Sequence, residues 1–370
     1  MTHRDRPPFR ADHVGSLLRP ARLHAARARR AAGEIGEAEL ASVEDDCIRE
    51  AIALQEGVGL EAVTDGEFRR GHWWVDFVSA LDGTRIEGGL AGRFRTADGT
   101  VRHGPTRAVV TGRIARTRPI EVDYFRFLKA TTRRMPKLCI PSPTLVHFRA
   151  GRDGIDRRAY PELDGFFADL ASAWRGEIAD LAEAGCRYLQ LDDTNFAYLC
   201  DAEMREGVRK IGWDPDSLPR TYAALINDAI GGRPADMVVT MHLCRGNLSG
   251  AWAAEGGYDP VAEVLFNEIA IDGFFLEYDT PRAGSFAPLR LVPKGKTVVL
   301  GLVTTKSGEM EQKDVLKRRI DEAARHLALD QLALSPQCGF ASVAQGNDID
   351  LAHETAKLRL VVEVASEVWG

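Results

Sequence analysis

Short apolar runs recur along the chain, and most are followed by a stretch in which apolar residues return every three or four positions. Runs of the first kind predict buried strands at 11–16, 59–65, 137–142, 186–192, 237–244, 273–279, 297–304 and 332–338. Stretches of the second kind, such as 162–185 and 311–328, predict amphipathic helices. Eight strand–helix units predict an α/β fold, a single (β/α)8 TIM barrel spanning 1–370, although a doubly wound sheet satisfies the same count. The connection between the sixth and seventh runs is short, which predicts a reduced helix there. Residues 84–120, rich in Gly, Arg and Thr, break the rhythm. They predict a β-hairpin-like insertion after strand 2, two or three short antiparallel strands lying over the barrel mouth.

Polar residues gather at one end of these strands. Ser16, Asp65, Glu67, Asp192, Asp193, His242, Cys244, Glu277, Asp279 and Cys338 all stand at the C-terminal end of a predicted strand or just past it. In a barrel these ends converge on the face that carries chemistry. His242 and Cys244 are two apart on one strand, so their side chains point the same way. Glu277 ends the next strand and Cys338 the last. Two sulfurs, one nitrogen and one carboxylate from three strand ends suit Zn2+. A lone His-x-Cys is weak, because cysteine is often only a small buried residue. Glu277, however, closes the apolar run Gly-Phe-Phe-Leu, and a buried carboxylate needs a partner. The other cysteines, Cys47, Cys139, Cys186 and Cys200, fall at core or helix positions.

Composition narrows the setting. A formal net charge of −6 argues against a general nucleic-acid binder. No apolar run is long enough to span a bilayer, and the N-terminal MTHRDRPPFRADH has no apolar core of a secretory signal. Six scattered cysteines do not make a disulfide scaffold. The expected location is the reducing cytoplasm, with no membrane or nucleic-acid partner.

Seven stretches carry a resemblance: HVGSLLRP (13–20), TDGEFRR (64–70), LQLDD (189–193), MHLCRGN (241–247), FFLEYD (274–279), LGLVTTKS (300–307) and LSPQCGF (334–340). Together they resemble the catalytic C-terminal barrel of cobalamin-independent methionine synthase, in the pattern of the short, single-barrel members of that superfamily. The resemblance implies that His242, Cys244, Glu277 and Cys338 are zinc ligands. Two thiolates and a carboxylate make an electron-rich site that suits deprotonating a substrate thiol rather than water. The expected nucleophile is the zinc-bound substrate thiolate, with no side chain assigned as acid or base. The resemblance further implies an amino-acid pocket: Ser16 in the stretch that holds the homocysteine carboxylate, and Glu67 and Asp192 around its ammonium.

The donor side departs from the family pattern. Phe148 stands where the family stacks its folate on a Trp, Tyr198 where an acidic residue reads the pterin, and Lys306 where a His handles a proton. The part of longer members that contacts the folate tail has no counterpart here. Arg69 and Arg70 come near the site and are expected to hold an anionic group or to make surface pairs. The expected partners are a small-molecule thiol and a methyl or alkyl donor, and a homodimer is allowed. The expected reaction is methyl transfer to homocysteine, giving methionine. The alternative is another zinc-dependent thiol alkylation, such as opening an epoxide with coenzyme M. A uroporphyrinogen decarboxylase-like fold without zinc, or a non-catalytic zinc protein, fits the ligand set less well.

Overall fold

The computed structural model describes residues 6–96 and 100–370. Its strands are β1 (Ala62–Val63), β2 (Asp82–Arg95), β3 (Val101–Ala115), β4 (Met135–Pro141), β5 (Tyr188–Asp193), β6 (Val238–Leu243), β7 (Gly273–Glu277), β8 (Thr297–Val303) and β9 (Leu332–Pro336). Seven form one curled parallel sheet in the order β1-β4-β5-β6-β7-β8-β9. Every residue of β5, β7, β8 and β9 is buried. That burial on both faces is why these strands read as near-continuous apolar runs.

Helices cover the outer face. Leu163–Glu183 buries Phe166, Leu170, Trp174, Ile178 and Leu181 at helical spacing. Trp174 Nε1 donates to the Pro141 carbonyl at 2.7 Å, which seats this helix on the end of β4. Between β7 and β8 the chain makes only the 3₁₀ turns Pro281–Ala283 and Ala287–Leu291, the reduced connection its length predicts.

The expected first strand, 11–16, does not form a ladder. It makes one parallel bridge, Ala11 to Leu334, flanked by Asp12 N–H to Leu334 O at 3.0 Å and Leu334 N–H to Arg10 O at 2.9 Å. The chain leaves strand geometry at Gly15, whose φ of +143° favours glycine. A Cβ there would also collide with Glu67 Oε1 and Cys139 Sγ. Leu17 then donates its N–H to Gly66 O at 3.1 Å, so this segment touches β9 at one end and the turn after β1 at the other. Inside the curl, Asp12 meets Lys137 Nζ at 3.1 Å and the Tyr188 hydroxyl at 2.7 Å. Asp12 and Lys137 are 0% exposed, and such a charge is tolerated only when paired and hydrogen-bonded.

The insertion expected at 84–120 is a two-stranded antiparallel hairpin, β2 with β3, longer than the short strands expected. Residues 97–99 of it lie outside the described residues. Arg95 exchanges backbone hydrogen bonds with Trp252, at 2.6 and 2.9 Å, which draws β2 over the C-terminal ends of the parallel strands. Among the described residues no helix is long and apolar enough to cross a membrane.

Candidate active site

His242 and Cys244 leave the end of β6, Glu277 is the last residue of β7, and Cys338 follows β9 by two residues. One donor atom from each lies within 4.8 Å of every other. The two sulfurs are 3.6 Å apart. Glu277, 0% exposed, accepts the Arg245 backbone N–H at 2.8 Å, and its other oxygen lies 3.5 Å from Arg282 and 3.9 Å from Lys306. Both ring nitrogens of His242 are buried without a hydrogen-bond partner, a cost a folded chain seldom leaves standing. The two sulfurs are in hydrogen-bond contact. The hydrogen bond from Cys244, and then His242, hold Cys338 well below the usual thiol range, while Cys244 is pushed up by Cys338 and by burial. Orphaned imidazole nitrogens, a paired thiol and thiolate, and an anchored carboxylate form a donor set of the kind a zinc ion takes.

The loop after Cys338 is gauged against the chain's start. Ser16 Oγ accepts the Ala341 N–H at 3.3 Å, and Ser16 O accepts the Phe340 N–H at 2.9 Å. A Cβ at Gly339 would overlap Ser16 Oγ, so the chain passes there only as glycine. Asn247, three residues past Cys244, donates to Gly339 O at 3.1 Å and ties the β6 end to the same loop.

Glu67 sits in a left-handed conformation, φ 57°, after Gly66 at 67°. Asp65 Oδ1 holds this turn by accepting the Glu67 N–H at 2.8 Å. A non-glycine residue held at positive φ stores strain, a cost met chiefly where a side chain must be aimed. Glu67, Cys139 and Asp192 bring donor atoms within 4.8 Å of one another. Their charge is already met from inside the chain: Arg70 grips the Glu67 carboxylate, and Gln190 donates to Asp192 Oδ1 at 2.7 Å. Burial nonetheless raises Asp192 above the ordinary carboxylate range, against the pull of His242, Gln190 and Arg70.

Several of these groups share one open cavity at the strand ends. Ser16, Glu67, Arg70, Asp192, His242, Cys244 and Cys338 line it. Tyr198 does too, set there by the turn Asn195–Tyr198, whose first N–H groups bond Asp193. Three expected residues stand elsewhere. Phe148 packs against Tyr198 at 5.8 Å between centroids rather than on the wall. Arg69 pairs with Glu44 and Asp45 outside the cavity, in a largely buried ion-pair cluster rather than on the surface. Lys306 lies beside Glu277 and 3.8 Å from Asp279. The wall also holds His72, Trp73, Trp74, Phe94 and Arg149, none of which sequence reasoning singled out. Phe94 arrives on the hairpin and Arg149 on the helix Thr144–Ala150, so no strand-end rule could find them.

Residues 9–367 match the family model described as the catalytic domain of cobalamin-independent synthase. The chain belongs to the cobalamin-independent methionine synthase family. The chain is 45% identical to the uncharacterized protein YxjH of Bacillus subtilis, over 98% of its own length and 95% of that protein's. It is 39% identical to a Listeria monocytogenes protein, provisionally described as a vitamin-B12-independent methionine synthase, with a TM-score of 0.77 and 98% of each chain covered. It is 27% identical to the 5-methyltetrahydropteroyltriglutamate–homocysteine methyltransferase of Acidiphilium cryptum, covering 90% of this chain but 40% of that one. Methionine synthases are methyltransferases, so this is a methyltransferase family, and the cavity at the strand ends is its candidate active site.

Proposed function

We propose that the chain is a zinc-dependent S-methyltransferase, folded as one closed (β/α)8-type barrel, that methylates a thiol, with homocysteine the acceptor favoured. The observation that carries this reading is the convergence of His242, Cys244, Glu277 and Cys338, with both His242 nitrogens unclaimed by the protein. These four residues would hold the metal. Zinc, when bound, supplies the means of keeping a substrate thiol deprotonated at neutral pH. The chain's residues do the rest. Arg245 N–H fixes Glu277, and Asn247 with Ser16 fixes the Cys338 loop. Glu67 and Asp192 would receive the substrate ammonium, with Arg70 moving off Glu67 toward the substrate carboxylate. The methyltransferase relatives that name homocysteine support this assignment.

A second reading has one observation in its favour. Arg70 already satisfies Glu67, so a thiol bearing an anion and no ammonium, such as coenzyme M, meets a guanidinium without displacing anything. A product assay separates the two. Zinc-loaded protein is offered each thiol with a panel of methyl and epoxide donors, and products are identified by mass spectrometry. Methionine as the product supports the first reading; a sulfonate thioether with no methionine replaces it by the second.

A further inference from the structure

Two guanidinium groups line the cavity, those of Arg70 and Arg149. Arg70 is spent on Glu67. Arg149 has no carboxylate within 4.0 Å among the described residues, and its Nε is buried without a hydrogen-bond partner. Its neighbours are the faces of Trp74 and Trp73, 5.0 and 5.9 Å from the guanidinium carbon, and the Tyr198 hydroxyl, with which it hydrogen-bonds. His72, in edge contact with Trp74 at 5.6 Å, is held neutral by burial and by Arg149 and Arg70, its pKa lowered to about 3, so it adds no positive charge beside Arg149.

Indole faces and a phenol hold this cation in place without neutralising it, since none of them is an anion. Its charge is left for a planar or apolar molecule that brings an anionic group to it. We infer that Arg149 is the anion receptor for the second substrate, the alkyl donor, and that this donor carries its anionic group next to a flat or apolar body lying along Trp73 and Trp74. This rests on the alkyl-transfer reading and narrows its donor side. It also accounts for Phe148 lying behind Tyr198: the wall at the donor side is built from Tyr198, Arg149 and the two indoles.

The test uses the full, zinc-loaded chain and two probes of one shape, benzoate and benzamide, followed by tryptophan emission. Benzoate is expected to bind roughly tenfold or more tightly than benzamide, the worth of one charge-assisted contact. Arg149→Met should abolish that advantage, and Arg149→Lys should keep part of it. Benzoate binding no better than benzamide in the unmodified protein overturns the inference, even where a variant fails to fold. An advantage kept in Arg149→Met overturns it as well. Zinc content and homocysteine binding are measured on the same samples. Protein that binds both but shows no benzoate preference refutes the Arg149 assignment alone. Protein that binds neither, yet prefers benzoate through Arg149, refutes the alkyl-transfer reading alone.

Discussion

The two polar corners of the cavity treat their charges in opposite ways. Around His242, Cys244, Glu277 and Cys338 the protein leaves donors unused: two imidazole nitrogens without partners and two sulfurs in contact. Around Glu67 and Asp192 each carboxylate already has a side-chain partner, Arg70 for one and Gln190 for the other. Unspent donors at fixed positions call for a resident group, because a buried polar atom without a partner costs about 1–3 kcal/mol. Spent ones describe a place that must exchange partners to admit a ligand. The first corner is built for permanence and the second for turnover.

The most damaging change should fall on the first corner. Cys338→Ser replaces a sulfur held in the thiolate range by a poor ligand. Altering residues merely behind a metal's ligands costs roughly 10–100-fold in affinity, so losing a ligand should exceed about a hundredfold. Metal analysis after dialysis against a weak chelator checks this, and a full zinc equivalent retained by the variant refutes the ligand set.

A smaller effect, of two signs, is expected at the second corner. Glu67→Gln should weaken homocysteine by about 1.5–3 kcal/mol, one charge-assisted bond, while zinc stays. The same change frees Arg70, so coenzyme M should bind more tightly than to the unmodified chain. Calorimetric titration of both thiols decides; movement in the same direction would break the contrast.

The smallest effect concerns a carboxyl that solves its burial by a third route. Glu354, 0% exposed, accepts the Leu18 N–H at 2.7 Å and so holds the segment carrying Ser16. Burial raises its pKa from 4.5 to about 8. Across that window the folded protein keeps a proton that the unfolded chain has released, so stability falls as pH rises from about 4.5 to about 8. Glu354→Gln removes that decline. Thermal melts at the two ends of the window should differ less in the variant than in the unmodified chain, because the glutamine has no proton to release.

How far the sequence disclosed this arrangement depended on what placed each residue. The buried parallel strands were legible because burial on both faces leaves an unbroken apolar run, as in Thr297–Val303. The four donors at strand ends were legible for the same reason, since strand ends converge wherever parallel strands curl. The segment 11–16 misled because its apolar pattern hides Gly15, whose backbone turns away after one bridge. Arg70 was near at hand, but that it closes Glu67 depends on a left-handed turn at 66–67 that no periodicity encodes. Arg149, Trp73, Trp74 and Phe94 were missed because a short helix, a loop and a hairpin carry them to the cavity, and only packing says which way those elements face.

The pairing of Ser16 with the turn behind Cys338 has a consequence for biosynthesis. Those two partners are separated by 325 residues in the chain, and Cys338 follows Cys244 by 94. While the ribosome is still making the last parallel strand, the proposed metal set has His242, Cys244 and Glu277 but neither its second sulfur nor the loop that aims it. Any zinc captured by that nascent segment is held by an incomplete set and exchanges readily. Tight loading of the proposed metal would then wait until synthesis has passed Gly339 and Ser16 has docked against that turn.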